Sequence, residues 1–329
     1  MTSGARLQSL MFLLAFPLFV TVARGADSPK VSVDPRAKTT ASEPKGPATD
    51  IRVDTTVVLI PVTVTDSLNK FVTGLEKENF RLYEDKVEQQ IAYFTTDDAP
   101  ISIGLVFDSS GSMRSKLRKA RQAVTEFFKS ANPDDEFFLV EFNDRPEVTQ
   151  DFTANLERIQ NRLSFTQATG RTALLDAVMM AFDQMKRKAR NPRKALLIIS
   201  DGGDNSSRYT ETEIKRVVRE TDVQIYAIGI FEPFLFQGRS AEELGGPGLL
   251  NDLAKQTGGR HFAVENLSDL PDVAAKIGTE LRNQYILGYS PASKERDGKY
   301  HKVTVKLTLP KNVPPMRAFF RQGYYAPIQ

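Results

Sequence analysis

Ile101-Ser102-Ile103-Gly104-Leu105-Val106-Phe107-Asp108-Ser109-Ser110-Gly111-Ser112 decides the reading of this chain. Seven largely apolar residues end abruptly in a carboxylate and three hydroxyls. An unbroken apolar run of this length is what a strand shows when both sheet faces are covered. The same pattern recurs downstream. Phe137 to Phe142, Ala195 to Ser200 and Val223 to Ile230 are strand-like runs, and His261 to Val264 is a shorter one. Between them, apolar residues fall at helical spacing. They are Leu117, Ala120, Val124, Phe127 and Phe128; Leu156, Ile159 and Leu163; Leu174, Leu175, Val178, Met179 and Phe182; and the segments Ile214–Val218, Leu249–Ala254 and Leu270–Leu281. Alternating strands and helices imply parallel strands joined by right-handed crossovers. The expected fold is α/β, a doubly wound, mostly parallel sheet over residues 99–282. Its ligands should bind at the C-terminal ends of the strands.

Outward from this segment the pattern becomes all-β. Thr55 to Thr65, Phe71-Val72, Phe80 to Glu84 and Ile91 to Phe94 read as short strands, with a turn at Asp66-Ser67-Leu68-Asn69 and another at Glu84-Asp85-Lys86. After Arg282, the stretches Gln284–Tyr289, Lys302–Leu309 and Arg317–Tyr325 suit strands. Neither flank has enough strands for a two-layer core of its own. Segments 51–98 and 283–329 are therefore expected to pair in one sandwich-like β domain, into which the α/β domain is inserted.

The N-terminus reads as an address. Arg6 precedes the apolar stretch Leu10–Val22, and Ala23-Arg24-Gly25 places small residues before a cut at Ala26. The competing reading is a retained membrane anchor, but the stretch is short for a span and contains Pro17, so cleavage is favoured and no stable span is expected after it. Residues 26–50, with four prolines and almost no large apolar side chains, read as a disordered linker. These features point to a secreted or periplasmic protein.

Composition excludes several chemistries. The 329 residues contain no cysteine, which rules out disulfides, thiolate catalysis, cysteine-ligated zinc and a lipid-modified cysteine anchor. The two histidines, His261 and His301, form no HExxH pair. The net charge of +3 falls to +1 once the first 25 residues, with Arg6 and Arg24 and no acid, are removed. That balance gives no electrostatic case for nucleic acid.

The chemistry-bearing residues converge on the ligand edge of the sheet. Asp108, Ser110 and Ser112 follow the first buried strand, Asp201-Gly202 follows the strand at Ala195–Ser200, and Thr172 precedes a helix. Carboxylate and hydroxyl oxygens with no softer ligand suit Mg2+ or Mn2+. Ser110 and Ser112, two apart in an extended turn, can both face one ion, and Gly111 permits the tight path between them. With only two carboxylates the ion stays electrophilic, and its open position attracts an external carboxylate. A bland alternative for the same stretch is a polar turn in which Ser112 caps the next helix.

Asp108-Ser109-Ser110-Gly111-Ser112 resembles the DxSxS metal-ion-dependent adhesion motif of von Willebrand factor type A domains. Thr172 and Asp201 resemble its separate threonine and aspartate, and Leu253–Gly259 also fits that family. The flanks Phe71–Leu75, Tyr83-Glu84-Asp85, Ala99-Pro100, Gln284–Pro291 and Arg321–Tyr325 resemble a bacterial secreted family related to it. The resemblance implies that Ser110 and Ser112 bind magnesium directly, and Thr172 directly or through water. Asp108 and Asp201 would act through water and hydrogen bonds. It implies a protein-binding, adhesion-type module, not an enzyme, whose partner donates an Asp or Glu. Two further readings are a metal-dependent hydrolase, for which no GxSxG elbow, P-loop or second aspartate after Asp108 is present, and a structural subunit with a stabilising metal site. Close to Asp201, Asp204–Ser207 reads as a solvated loop, with a lining of the ligand surface as the alternative. Phe231–Leu244, with Phe231, Phe234, Leu235 and Phe236, is either a partner patch or a tucked loop.

Overall fold

Every residue of β5 (Ile101–Asp108) is buried, and the strand lies at the centre of a six-stranded sheet. The computed structural model describes residues 57–231, 241–292, 297–310 and 313–326, which belong to a unit running from Asp54 to the C-terminus. The signal-like segment 1–25 and the linker-like segment 26–50 lie outside the described residues. The other strands of this sheet are β6 (Glu136–Phe142), β7 (Pro146–Thr153), β8 (Arg193–Ser200), β9 (Gln224–Ile230) and β10 (His261–Val264), in the order β10-β9-β8-β5-β6-β7. All neighbours are parallel except β6 and β7. The chain winds outward from β5 to β7, then returns to β8 on the other side of β5. The winding thus reverses between β5 and β8, whose C-terminal ends open the crevice where doubly wound sheets bind ligands.

The helices are α1 (Leu117–Phe128), α2 (Leu156–Phe165), α3 (Leu174–Lys188), α4 (Glu211–Glu220), α5 (Ala241–Thr257) and α6 (Leu270–Arg282). Side chains alternate across β5, so Ile103, Leu105 and Phe107 join α1, α2 and α6 in one core, whereas Val106 joins α3, α4 and α5 in the other. Burying each such aliphatic or aromatic side chain contributes about 1.5–3 kcal/mol, so two continuous apolar layers dominate the stability. Local chemistry sets the helix ends. Asn155 accepts from Glu157 N and Arg158 N to start α2, Thr210 and Glu213 form a capping box for α4, and Lys186, Arg187 and Lys188 complement the dipole at the end of α3.

Two four-stranded antiparallel sheets make the second layer pair. Their strands are β1 (Val58–Thr65), β2 (Phe80–Glu84), β3 (Val87–Gln89), β4 (Tyr93–Thr95), β11 (Tyr285–Tyr289), β12 (Tyr300–Leu307), β13 (Arg317–Phe320) and β14 (Gly323–Tyr325). The orders are β13-β1-β11-β4 and β14-β12-β2-β3, so each sheet mixes strands from before and after the α/β segment. One core holds Ile60, Val62, Tyr285 and Leu287 of the first sheet with Phe80, Leu82, Val303 and Val305 of the second.

Several local expectations change. Phe71-Val72 is no strand; Phe71 makes a single bridge to Thr65. β3 is an additional strand, joined to β2 through Asp85 and Lys86, both at positive φ as a tight hairpin turn requires. Arg317–Tyr325 is not one strand: it breaks at Arg321-Gln322 so that β13 and β14 serve different sheets. β7 has no sequence signature, because this edge strand carries Glu147, Gln150 and Asp151 with no clean alternation.

The junction with the β layers lies at the strand starts, at the end of the six-stranded sheet opposite Asp108. Arg193, first in β8, donates to Ala99 O (3.1 Å), Leu281 O (2.6 Å) and Gln284 Oε1 (2.9 Å). Arg282 pairs with Asp98 and Asp135 at 2.9 and 3.0 Å. Among the described residues, no helix is long and apolar enough to cross a membrane.

Candidate functional site

Backbone bonds stitch the site loops together before any side chain is considered. The Ser109 N–H donates to Phe142 O (2.8 Å) at the end of β6. Thr169 N reaches Ser109 O (2.9 Å) and Gly111 N reaches Gly170 O (3.0 Å), which fastens the loop carrying Thr172 to the serine loop. Ala173 N donates to Asn143 O (2.8 Å). Gly202 holds a φ of +83° after Asp201, a conformation that suits glycine, and its backbone lies directly against Gly246 of α5.

Asp108 is fully buried. Its Oδ1 accepts from Ser110 N (2.8 Å) and its Oδ2 from the Ser200 hydroxyl (2.5 Å). Burial first, and then the neighbouring Asp201 charge, push its carboxyl up to about 7, against the lowering effect of the serines. The Ser110 and Ser112 hydroxyls lie 3.0 Å apart. They reach this spacing through one turn of 3-10 helix, Gly111–Met113, rather than through an extended turn. The approach there is close: a Cβ on residue 111 would sit 3.2 Å from Gly170 O, a tight contact that a shift of a few tenths of an ångström would relieve. Ser112 does not cap α1, whose N-cap is Lys116.

Asp201 sits beside this group but is not free: its Oδ2 accepts from Lys116 Nζ at 2.9 Å. Thr172 is buried on the adjoining loop. Its N–H donates to Asn205 Oδ1 (3.0 Å), and its carbonyl accepts from Asn205 N (3.0 Å) and Ser206 N (3.1 Å). The five residues singled out in the sequence therefore come from three loops meeting at one crevice. Asp108, Ser110 and Ser112 are in hydrogen-bonded contact, Asp201 is electrostatically coupled to Asp108, and Thr172 is locked one loop away.

The donor set fits a small hard cation. Two adjacent ligands of an octahedral magnesium at about 2.1 Å lie roughly 3 Å apart, which is the spacing of the two serine hydroxyls. Among the described residues, no group of three or more His, Asp or Glu side chains is spaced to hold a metal. An ion here would accordingly depend on hydroxyls and water, with Asp108 and Asp201 supplying charge.

Three contributors escaped the sequence reading. Ser200 orients Asp108 while accepting from Gly202 N (3.0 Å), yet it reads as the last residue of an apolar strand. Lys116 looks like any lysine of a polar stretch, and only its burial reveals it. The Asp204–Ser207 loop, read as solvated, is half-buried and works as a clamp. Asn205 holds Thr172, while Asp204 accepts from Leu175 N (3.3 Å) and Ser207 Oγ (2.6 Å) at the start of α3. Phe231 is buried and packs edge-on against His261, with ring centroids 5.9 Å apart. The rest of the proposed partner patch, residues 232–240 and the side chains of 241–244, lies outside the described residues.

Residues 103–203 match the von Willebrand factor type A domain family. Over 145 residues, 40% of this chain, the sequence is 27% identical to inter alpha-trypsin inhibitor heavy chain 4 of Mus musculus, and the match spans only 15% of that relative's length. The fold is similar to a solved von Willebrand factor type A structure from Catenulispora acidiphila, at 12% identity and a TM-score of 0.47, over 84% of this chain and 75% of that one. It is also similar to the conserved hypothetical protein BatB from Bacteroides thetaiotaomicron, at 18% identity and a TM-score of 0.44, over 55% of this chain and 98% of that one. Residues 103–203 therefore match a von Willebrand factor type A domain, and the match does not extend to the flanking β layers.

Proposed function

We propose that the protein is a metal-ion-dependent protein-binding module, secreted or periplasmic. It would hold Mg2+ (or Mn2+) at Asp108, Ser110, Ser112, Thr172 and Asp201 and bind a partner protein through an Asp or Glu carboxylate. The observation that carries this reading is the pair of serine hydroxyls 3.0 Å apart beside the buried Asp108 carboxylate. When bound, the ion would supply a Lewis-acidic position for an incoming oxygen. The chain's own residues do the rest. Ser110 and Ser112 offer the direct oxygens. Ser200 and the Ser110 N–H hold the Asp108 carboxylate in one orientation. The Asn205 clamp fixes Thr172. Both Asp108 oxygens accept hydrogen bonds and Asp201 is paired with Lys116, so both carboxylates are tied to partners within the chain. That favours binding over turnover.

Calorimetric titration of the protein with Mg2+ and Mn2+ tests the reading. Saturable binding that is lost in Asp108→Ala, with the fold retained by circular dichroism, supports it. Partner complexes should then dissociate in EDTA, and a complex indifferent to EDTA would refute it. Export is tested by N-terminal sequencing of the secreted protein, which should begin at Ala26.

A further inference from the structure

We propose that Lys116 is a built-in cation of this site, which weakens the hold on the metal and leaves the bound ion with surplus positive charge for an acidic partner. The inference rests on the metal reading above. Lys116 is an unusual lysine: the residue is only 2% exposed, and its ammonium is spent on one carboxylate, Asp201, at 2.9 Å. Its backbone is fixed at both ends. The N–H donates to Met113 O (2.8 Å) in the serine loop, and the carbonyl accepts from Ala120 N (2.9 Å) in the first turn of α1. Helix and metal loop thus aim the side chain into the crevice.

The charge count gives the consequence. With both carboxylates ionised, as a bound cation requires, Asp108 and Asp201 contribute two formal negative charges and Lys116 one positive, a net of −1 from the chain. A divalent ion brings this to +1. With a neutral residue at 116 the same ion would leave the crevice neutral. Charges this close in a water-poor crevice interact strongly, so the ammonium opposes the ion and holds an Asp201 oxygen that could otherwise serve it. It also keeps a unit of positive charge for an incoming carboxylate to neutralise. The lysine therefore exchanges metal affinity for attraction to an anionic ligand.

The test is calorimetric titration of the full chain with Mn2+, with and without acetate as the probe carboxylate, for wild type, Lys116→Met, Lys116→Gln and Lys116→Arg. Lys116→Met and Lys116→Gln should bind Mn2+ at least about tenfold more tightly than wild type, in line with loss of a nearby like charge. Acetate should tighten Mn2+ binding to wild type and Lys116→Arg but not to the neutral variants. Thermal unfolding, with a larger Mn2+-induced rise in Tm for the neutral variants, gives a readout even where one of them folds poorly without metal. Equal or weaker Mn2+ binding by both neutral variants, with wild type binding normally, overturns the role of Lys116 and leaves the metal site standing. Absence of Mn2+ binding in all four proteins overturns both.

Discussion

Glu280 on α6 is fully buried and pairs with Arg260, the residue before β10. The guanidinium is also sandwiched between the rings of Phe262 in β10 and Phe319 in β13, with centroids 4.7 and 4.6 Å away, so it joins the α/β layers to the β layers. Burial pushes the Glu280 carboxyl upward and outweighs the opposing Arg260 charge, so the carboxylate depends on that guanidinium to stay ionised. Glu280→Ala removes the neutralising partner and strands a guanidinium in a residue 8% exposed. Losing one member of a buried pair costs about 3–5 kcal/mol. A cavity of about 500 Å3 bordered by Arg260 lets water relieve part of this, which places the cost near 3 kcal/mol. For a unit of this size that is a fall in Tm of roughly 6–12 °C. The assay is urea unfolding followed by fluorescence and circular dichroism, with coincident transitions as the check on two-state behaviour. The double variant Arg260→Met/Glu280→Leu removes both charges and should return to within about 1 kcal/mol of wild type. A cost below about 1 kcal/mol for Glu280→Ala, or additive costs in the double variant, would refute the assignment of the pair as a buried, mutually dependent tie.

Three other perturbations probe the site and its support. In Gly246→Ala a Cβ would fall 2.2 Å from Gly202 O, and because the atom it meets is backbone the loop bearing Asp201 must shift; thermal unfolding should show a loss of about 1–3 kcal/mol and Mn2+ titration a weaker site. Asn205→Ala leaves the buried Thr172 N–H without its 3.0 Å acceptor, at a cost of about 1–3 kcal/mol in chemical denaturation, with a weakened Mn2+ site; unchanged stability would show that water replaces the amide. His301 lies 2.8 Å from Asp85 and 3.5 Å from Asp297; burial alone lowers its pKa, but the hydrogen bonds to those carboxylates outweigh it and raise the pKa above 6.5. Folding therefore favours the protonated ring, so its contribution is complete below pH 6.5 and disappears as pH rises through the higher folded value. The stability gap between wild type and His301→Gln should narrow over that rise, and a gap that widens would reverse the sign.

How far the sequence could be read depended on whether a signal was local. Ile101–Phe107 and Ala195–Ser200 are apolar on both faces, which already demands a sheet covered by helices on both sides. The oxygen-bearing residues immediately after them fall on the ligand edge of such a sheet. Fold class and the neighbourhood of Asp108, Ser110 and Ser112 were legible for that reason. β7 and β3 were not, because an edge strand and a three-residue hairpin arm have too little periodic burial to mark them. Arg317–Tyr325 looked like one strand because both halves are apolar and aromatic; its break reflects the demand of two different sheets for an edge.

The sequence by itself determined the doubly wound layer, its β-rich flanks and the hard-oxygen character of the crevice, since each follows from residue type and spacing along the chain. Only the tertiary structure decided what neutralises and orients those oxygens. Lys116 reaches Asp201 from 85 residues away, Ser200 reaches Asp108 from 92, and Asn205 reaches Thr172 from 33. A side chain's charge and hydrogen-bonding capacity are written in the sequence. Its partner is chosen by the packing that excludes water around it, and that packing exists only once the sheets and helices have closed.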